Sequence, residues 1–311
     1  MKVSVCIPTY KYGCYIAETI ESILEQTFTD FELLIVDDNS QDATAEIVEQ
    51  FAQRDERIRF SVNANNLGMV KNWNFCLSLA RGDYIKFVFG DDLLASPDAL
   101  GRMVSLLDSD QSISLVASSR NLIDEHSDVL SVKSGFNRDC ILPGPDVINY
   151  CLFRQKNLIG EPTVTMFRRN QATRGFKENY QQIVDLEMWF YLLEKGGFAY
   201  ISDRLCSFRV HEKQQTARNN ASLNDVNDVN YLLDDYAYKT YITLPSFMKR
   251  YMRYDHLYGI WKRSRHDENM RHTVCTMIST HFGMTGFWGW YPFYKVFKPC
   301  LKLYKMLKRP L

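Results

Sequence analysis

Two adjacent carboxylates, Asp91 and Asp92, close the stretch GDYIKFVFGDD. Side by side at the end of a run of strand-forming residues, they repel one another and resist desolvation. A cation placed against them relieves both costs. Carboxylate oxygens suit Mg2+ or Mn2+, and two acids are too few for a closed cage, so such an ion keeps waters or takes oxygens from a phosphorylated ligand. On the competing reading, Asp92 caps the segment LLASPDAL that follows. A second acidic pair, Asp37 and Asp38, stands in VDDNSQDAT ahead of a helix expected near Ala43. Asp42 suits the cap of that helix. Asp38 can accept from the N–H of a nucleobase, whereas a purely structural carboxylate would have a backbone donor nearby. Tyr10, behind Pro8 and Thr9, can stack on a flat ring or simply cover a loop.

These residues share a position in the pattern around them. VSVCI (3–7), FELLIVDD, IRFSVN (58–63) and DYIKFVF read as strands. Between them, Ile16, Ile20, Ile23 and Leu24, then ATAEIVEQFAQRD, then Val70 to Leu79 read as helices. Strands alternating with helices of about a dozen residues form parallel βαβ units in an open α/β sheet. Such sheets bind ligands beyond the carboxyl ends of their strands. Three ends carry polar residues within the first hundred positions: Thr9 and Tyr10, Asp37 and Asp38, Asp91 and Asp92. Farther on, SISLVASSRNLID and TVTMFRR read as strands and PGPDVINYCLF as a helix. IVDLEMWFYLLEKG is a helix closed by Gly196 and Gly197, and AYISDRLCSFRVH is a last strand region. From about Ala217 a polar stretch leads into a helical, aromatic and increasingly basic remainder.

The 311 residues suffice for one large or two modest domains. Lys plus Arg and Asp plus Glu are 37 each, a net charge of zero, so nothing global argues for nucleic acid as a partner and none is expected. The eight cysteines show neither a CxxC pair nor metal-ligand spacing, and Met1 runs almost directly into the first strand, which suits free thiols in a reducing cytosol. No window offers the ~18 uncharged apolar residues of a spanning helix. The expected location is cytoplasmic, with peripheral association at the inner face of the cell membrane.

Neither GxGxxG nor GxxxxGK[ST] occurs, which weighs against a Rossmann dehydrogenase or a P-loop NTPase. A metal can neutralise a diphosphate in their place, as a nucleotide-sugar enzyme needs for its leaving group. The stretches VSVCIPTYKYGCYIAETIESILEQTFTDFELLIVDDNSQDAT and NNLGMVKNWNFCLSLARGDYIKFVFGDDLLASPDAL resemble the nucleotide-binding half of a family 2 glycosyltransferase of GT-A fold. The likeness continues more loosely through NLIGEPTVTMFRR, IVDLEMW and LCSFRVH to about Thr216. It implies a mostly parallel mixed sheet flanked by helices, in a catalytic domain over 1–216. Residues 1–107 would be the nucleotide-binding half and 108–216 the acceptor-binding half, with a helical C-terminal extension over 217–311.

The resemblance also implies roles. Tyr10 matches the residue that stacks on the base, with Pro8 and Thr9 in its loop, and Asp38 matches the acid that reads the base. Lys71, Asn72 and Gly90 fall in segments lining the nucleotide pocket, and Asp91 matches the metal-binding acid. Phe89 replaces the first acid of the fuller DxDD pattern. Asp185 resembles the general base of the family's ED motif, its neighbouring Glu replaced by Val184, with Glu187 and Trp189 keeping the rest. A carboxylate there takes the proton of an attacking sugar hydroxyl; otherwise it is an acid favoured by the helix dipole. His211 matches a His that approaches the metal or diphosphate, with Arg209, Lys213 or Gln214 nearby. Glu161 and Pro162 resemble the loop facing the acceptor.

The implied activity is inverting, Mn2+- or Mg2+-dependent transfer from a nucleotide sugar, a UDP-sugar foremost with GDP and dTDP sugars open. The acceptor would be a hydroxyl of a glycan or lipid-linked molecule in bacterial surface polysaccharide synthesis. Two alternatives stand beside it: a nucleotidyltransferase of similar fold, and a non-catalytic nucleotide-sugar-binding subunit of an envelope-assembly complex, which the Val184 replacement keeps open. Residues 287–311 hold five Lys, one Arg and no acid among aromatics. They suit a segment lying on an anionic membrane, a helical tail packed on the catalytic domain, or a homodimer contact.

Overall fold

The computed structural model describes residues 1–211 and 227–307; Lys213, Gln214 and the expected boundary at 216/217 lie outside them. The first hundred residues alternate as expected. Strands β1 (Val3–Thr9), β2 (Phe31–Asp37), β3 (Ile58–Val62) and β4 (Tyr84–Phe87) alternate with helices α1 (Ile16–Leu24), α2 (Thr44–Ala52) and α3 (Met69–Leu79). β1 and β2 are buried along their whole length. A strand covered on both faces has no polar side to present, hence its continuous apolar run. Pro8 does not end β1 but pairs with Val36 inside it. The register of β1 with β4 stops at Cys6, so at Pro8 a ladder neighbour remains on one side only, where proline is tolerated.

The second half adds β5 (Leu93–Leu94), α4 (Ala99–Ser109), β6 (Ile113–Ile123), β7 (Val129–Lys133), β8 (Cys140–Leu142), α5 (Gly144–Arg154), β9 (Thr165–Arg168), α6 (Val184–Leu193) and β10 (Gly197–Arg209). The sheet runs β3-β2-β1-β4-β9-β6-β10-β5, with β7 on β6 and β8 on β10. β1 to β4 are mutually parallel, as are β6 and β10, while β9 runs antiparallel between β4 and β6. This mixed α/β sheet has one apolar cluster on each face.

Among the described residues four C-terminal helices follow: α7 (Asp228–Tyr236), α8 (Ser246–Arg263), α9 (Glu268–Phe282) and α10 (Met284–Leu307). They continue the core on one face. Phe287, Tyr294 and Leu301, seven residues apart, are buried on one side of α10. Tyr294 donates to Asp255 of α8 at 2.6 Å, and Lys298 pairs with the same carboxylate at 2.7 Å. One face of the basic tail is therefore packed on the protein. Among the described residues no helix is long and apolar enough to cross a membrane.

Candidate active site

The loops after β1 and β2 are built together. Lys11 and Asn39 hold left-handed backbones at φ 60° and 61°, uncommon for residues with a Cβ and found where a fold over-determines the chain. Lys11 N–H donates to Ser40 Oγ at 2.7 Å, and Asp42 accepts from the N–H groups of Gly13 and Thr44, each at 3.1 Å. Asp42 thus serves the start of α2 and ties it to the first loop.

Beyond these strand ends lies a cavity of about 1020 Å³, lined among others by Pro8, Thr9, Tyr10, Asp38, Asn72, Phe89 and His211. Thr9 Oγ1 is buried on this wall with no hydrogen-bond partner among the described residues. Lys11 lies over the Tyr10 ring, 5.1 Å from its centre. Phe89, where an acid is usual, packs on Trp73 at 4.9 Å and makes that wall aromatic.

Asp38 is buried, and its carboxylate is engaged by backbone donors. Oδ1 accepts from Leu67 N–H at 2.7 Å and Asn63 Nδ2 at 2.8 Å, and Oδ2 accepts from Gly68 N–H at 2.9 Å. Such donors mark a structural carboxylate, and Asp38 fixes the loop ahead of α3. Asn72 braces the same loop, accepting from Asn63 and donating to the Val36 carbonyl. Lys71 is exposed on α3 and is not part of the cavity lining. Gly90 is close-packed instead of lining: a Cβ there would come 2.9 Å from Thr9 Oγ1 and 3.2 Å from the Tyr12 ring.

The two opening acids separate. Asp91 Oδ2 lies 3.0 Å from His211 Nε2, and both side chains are less than a tenth exposed. Tyr15 tilts against the imidazole at 5.3 Å. Asp92 does not cap the segment after it. It is wholly buried, accepting from the Thr163 hydroxyl and from Arg209 N–H at 2.9 Å. Burial, with the Asp91 charge adding, holds its carboxyl well above the usual range.

Arg209 is buried with its donors engaged: Nε to the Asp91 carbonyl at 2.8 Å, Nη1 to the Asp124 carbonyl and Ser127 Oγ, Nη2 to Glu18 at 2.7 Å. Its guanidinium also covers the Tyr15 ring. It acts as a clamp behind Asp91 and does not face a diphosphate. Asp91 and His211 together offer one carboxylate oxygen and one ring nitrogen, and among the described residues no set of three or more such groups converges. That donor set fits an open divalent site completed by ligand oxygens and water, and does not fit a closed structural one.

A second cluster surrounds Asp185 at the first turn of α6. Oδ2 accepts from Asn157 Nδ2 at 3.1 Å, and Oδ1 from Leu186 N–H at 2.8 Å. Burial, with a contribution from the Glu161 charge, pushes its carboxyl up to about 7. Asn157 also bonds the backbone of Ile159 and Gly160, shaping the loop that carries Glu161. Gly160 holds φ +119°, and a Cβ there would meet Val164 Cγ2 at 2.4 Å. Trp189, fully buried, donates Nε1 to the Gly160 carbonyl at 3.0 Å. Glu161 is ion-paired with Arg120 at 2.5 Å. Pro162 is buried in a 3-10 turn and does not face an acceptor.

Glu187 takes no part in this cluster. It is 0% exposed, bridged by Arg174 at 2.8 and 2.7 Å and by the Tyr236 hydroxyl at 2.8 Å. It is a core ion pair, because α7 covers the helix face on which it lies. Sequence reading also missed Arg120, Asn157 and Asp228. Asp228, on α7, accepts from the N–H groups of Gln181, Gln182 and Ile183 at 2.9, 2.6 and 3.1 Å. It thereby satisfies orphan donors where α6 begins, one turn from Asp185. Nothing local in the sequence marks a partner 45 residues away. Thr163 joins the two clusters, its Oγ1 accepting from Phe89 N–H at 3.2 Å and donating to Asp92.

The chain matches the family profile described as "Glycosyl transferase family 2" over residues 4–175. An uncharacterized protein of Mycobacterium tuberculosis is 32% identical over 238 residues, 73% of this chain and 72% of that protein. The chondroitin synthase of Escherichia coli is 30% identical over 69% of this chain, although the match spans only 30% of that synthase. Among solved structures, S. aureus TarS 1–349 in complex with UDP-GlcNAc superposes with TM-score 0.67 at 18% identity, over 90% of this chain and 81% of that one. A mannosyltransferase from Pyrobaculum calidifontis in complex with GDP-Man and Mn2+ gives TM-score 0.59 at 16% identity, over 90% and 75%. The sheet order, its antiparallel insertion β9 and these superpositions are those of a GT-A fold, and the chain belongs to the family 2 glycosyltransferases.

Proposed function

We propose that this glycosyltransferase moves a sugar from a UDP-sugar to a hydroxyl of a glycan or lipid-linked acceptor, with inversion, in surface polysaccharide synthesis. The observation that carries the reading is the Asp91–His211 pair, 3.0 Å apart, beside a strand-end cavity lined by Tyr10 and Asp38. In this reading Tyr10 stacks on the base, and Thr9 Oγ1 supplies an unspent donor on the same wall. Asp38 acts through the loop it holds, with a remaining lone pair for the base. The chondroitin synthase and the UDP-GlcNAc complex among the relatives support a UDP-sugar donor and a glycan product.

A divalent cation, Mn2+ or Mg2+, held by Asp91 and His211 would neutralise charge developing on the departing diphosphate. Arg209 holds the Asp91 backbone in place for it. Asp185 takes the proton of the acceptor hydroxyl as that oxygen bonds to the anomeric carbon. The bond from that carbon to the diphosphate oxygen breaks on the opposite face, and the nucleoside diphosphate leaves with the bonding pair. Asn157 orients Asp185, and the Arg120–Glu161 pair holds the acceptor-side loop. We assign residues 1–107 to the donor half and the segment from 108 through β10 to the acceptor half. The test is a thermal-shift screen of UDP, GDP and dTDP with and without Mn2+. UDP should raise the melting temperature most, and only with metal; no shift by any nucleotide in the presence of Mn2+ would remove the donor-site assignment.

A further inference from the structure

The outward face of α10 differs in chemistry from an ordinary solvated helix face. Opposite its buried stripe stand Pro292, Val296, Pro299 and Leu303, spaced at four, three and four residues. Val296 is 72% exposed and Leu303 59%. Lys295 and Lys302 flank this stripe. At its N-terminal end Trp288 packs edge-on against Trp261 of α8 at 4.9 Å. There Lys262, Arg265 and Lys295 lie over the rings of Tyr258, Trp261 and Tyr291.

The charge around this face is one-sided. No Asp or Glu occurs after Glu268. Of the described acids on the helices packed with it, Asp255 pairs with Lys298 and Asp267 caps α9. Aliphatic residues ringed by Trp, Tyr and Lys are the composition of a helix lying at a lipid–water boundary. The prolines fit that depth. Lacking an N–H, Pro292 and Pro299 cannot bond the carbonyls of Trp288 and Lys295. Water and headgroups can satisfy those carbonyls at an interface, whereas hydrocarbon cannot.

We infer that the outward face of α10, with the Trp261–Trp288 corner, docks on an anionic lipid surface, α10 lying in the headgroup plane. Nucleic acid is disfavoured, since Val296 and Leu303 need an apolar bed, and an anionic lipid surface meets both the apolar residues and the lysines beside them. The inference is independent of the donor site, as none of these residues lines that cavity.

The test uses the full chain, sedimented with vesicles of phosphatidylcholine alone or of phosphatidylcholine with phosphatidylglycerol. Binding is expected to the second kind only, and to weaken as salt rises. Lys295→Gln with Lys302→Gln should weaken it about twenty-five-fold, from about fivefold per lysine. Val296→Ser with Leu303→Ser should weaken it at least about tenfold. Both variants should keep the parent's melting temperature and its UDP–Mn2+ shift, so loss of lipid binding and loss of the donor site read out separately. Failure of the parent to bind anionic vesicles, equal binding by the Val296/Leu303 variant, or a parent dimer that the same variant dissolves would each overturn the inference.

Discussion

Asp91 Oδ2 and His211 Nε2 lie 3.0 Å apart, joining the turn after β4 to the second residue beyond β10 across 120 positions of sequence. Arg209, two residues before His211, holds the Asp91 carbonyl and the Asp92 carboxylate, so one strand end sets the position of the other. His211→Ala should lower kcat by about 10²-fold, the scale of one lost electrostatic contact to the leaving group. Raising Mn2+ should recover part of the loss. Steady-state rates across a Mn2+ series check this.

Asp185 should govern the alkaline approach to full activity. With its carboxyl pushed up to about 7, the base is protonated below that pH, so kcat rises with pH through about 7 and then levels. Asp185→Asn should reduce transfer by at least about 10²-fold, the lower end of a general-base contribution, with UDP affinity unchanged. Asn157→Ala removes a donor to the ionised form and should move the rise to higher pH. The pH profiles of the three proteins check both statements.

Stability follows from the same group. A carboxyl raised in the folded state binds more protons there than in the unfolded chain between about pH 4 and 7, so its contribution falls as pH rises through that window. Asp185→Asn escapes this fall. The variant should gain melting temperature relative to the parent as pH goes from about 4 to 7, with no further gain above; parallel melts at several pH values measure it.

Glu187 separates structure from catalysis. Glu187→Ala leaves Arg174 and the Tyr236 hydroxyl without their buried partner, which should cost about 3–5 kcal/mol of stability. Below the new melting temperature, kcat/KM for the acceptor should stay within about threefold of the parent, because the residue faces the core. Denaturation and kinetics on the same variant check it.

Asp38 carries a similar distinction. Asp38→Asn puts an NH2 group against at least one of the N–H groups of Leu67 and Gly68, and should cost about 1–3 kcal/mol. A remaining contact to the base predicts that the variant also loses preference for UDP over CDP; a variant that is less stable but equally selective would leave Asp38 with the loop alone. Calorimetric titrations with both nucleotides decide.

The donor half was legible because its information is local. Buried parallel strands read as apolar runs, and each run ends in the polar residue that the sheet brings to its carboxyl edge. The clamp around Asp91 was not, since Arg209 and Glu18 are 191 positions apart. A buried arginine and a ligand-binding arginine look alike in sequence. The same holds for Glu187, whose place in an EDxDxW-like pattern suggests a ligand while Arg174 and, from α7, Tyr236 make it a core ion pair. β7 and β8 escaped notice because β7, exposed along its length, is held only by pairing with β6 and shows no buried periodicity. The tail showed its basic, aromatic composition, but which face packs was decided by Tyr251, Tyr254 and Asp255 of α8.

The central claim is a metal bridge between Asp91 and a nucleoside diphosphate. Calorimetric titration of UDP into the parent and into Asp91→Asn, each with and without Mn2+, tests it directly. A metal-bridged donor site predicts that Mn2+ tightens UDP binding to the parent by at least about tenfold and leaves Asp91→Asn unaffected. An equal Mn2+ effect in both proteins, or none in the parent, would contradict it.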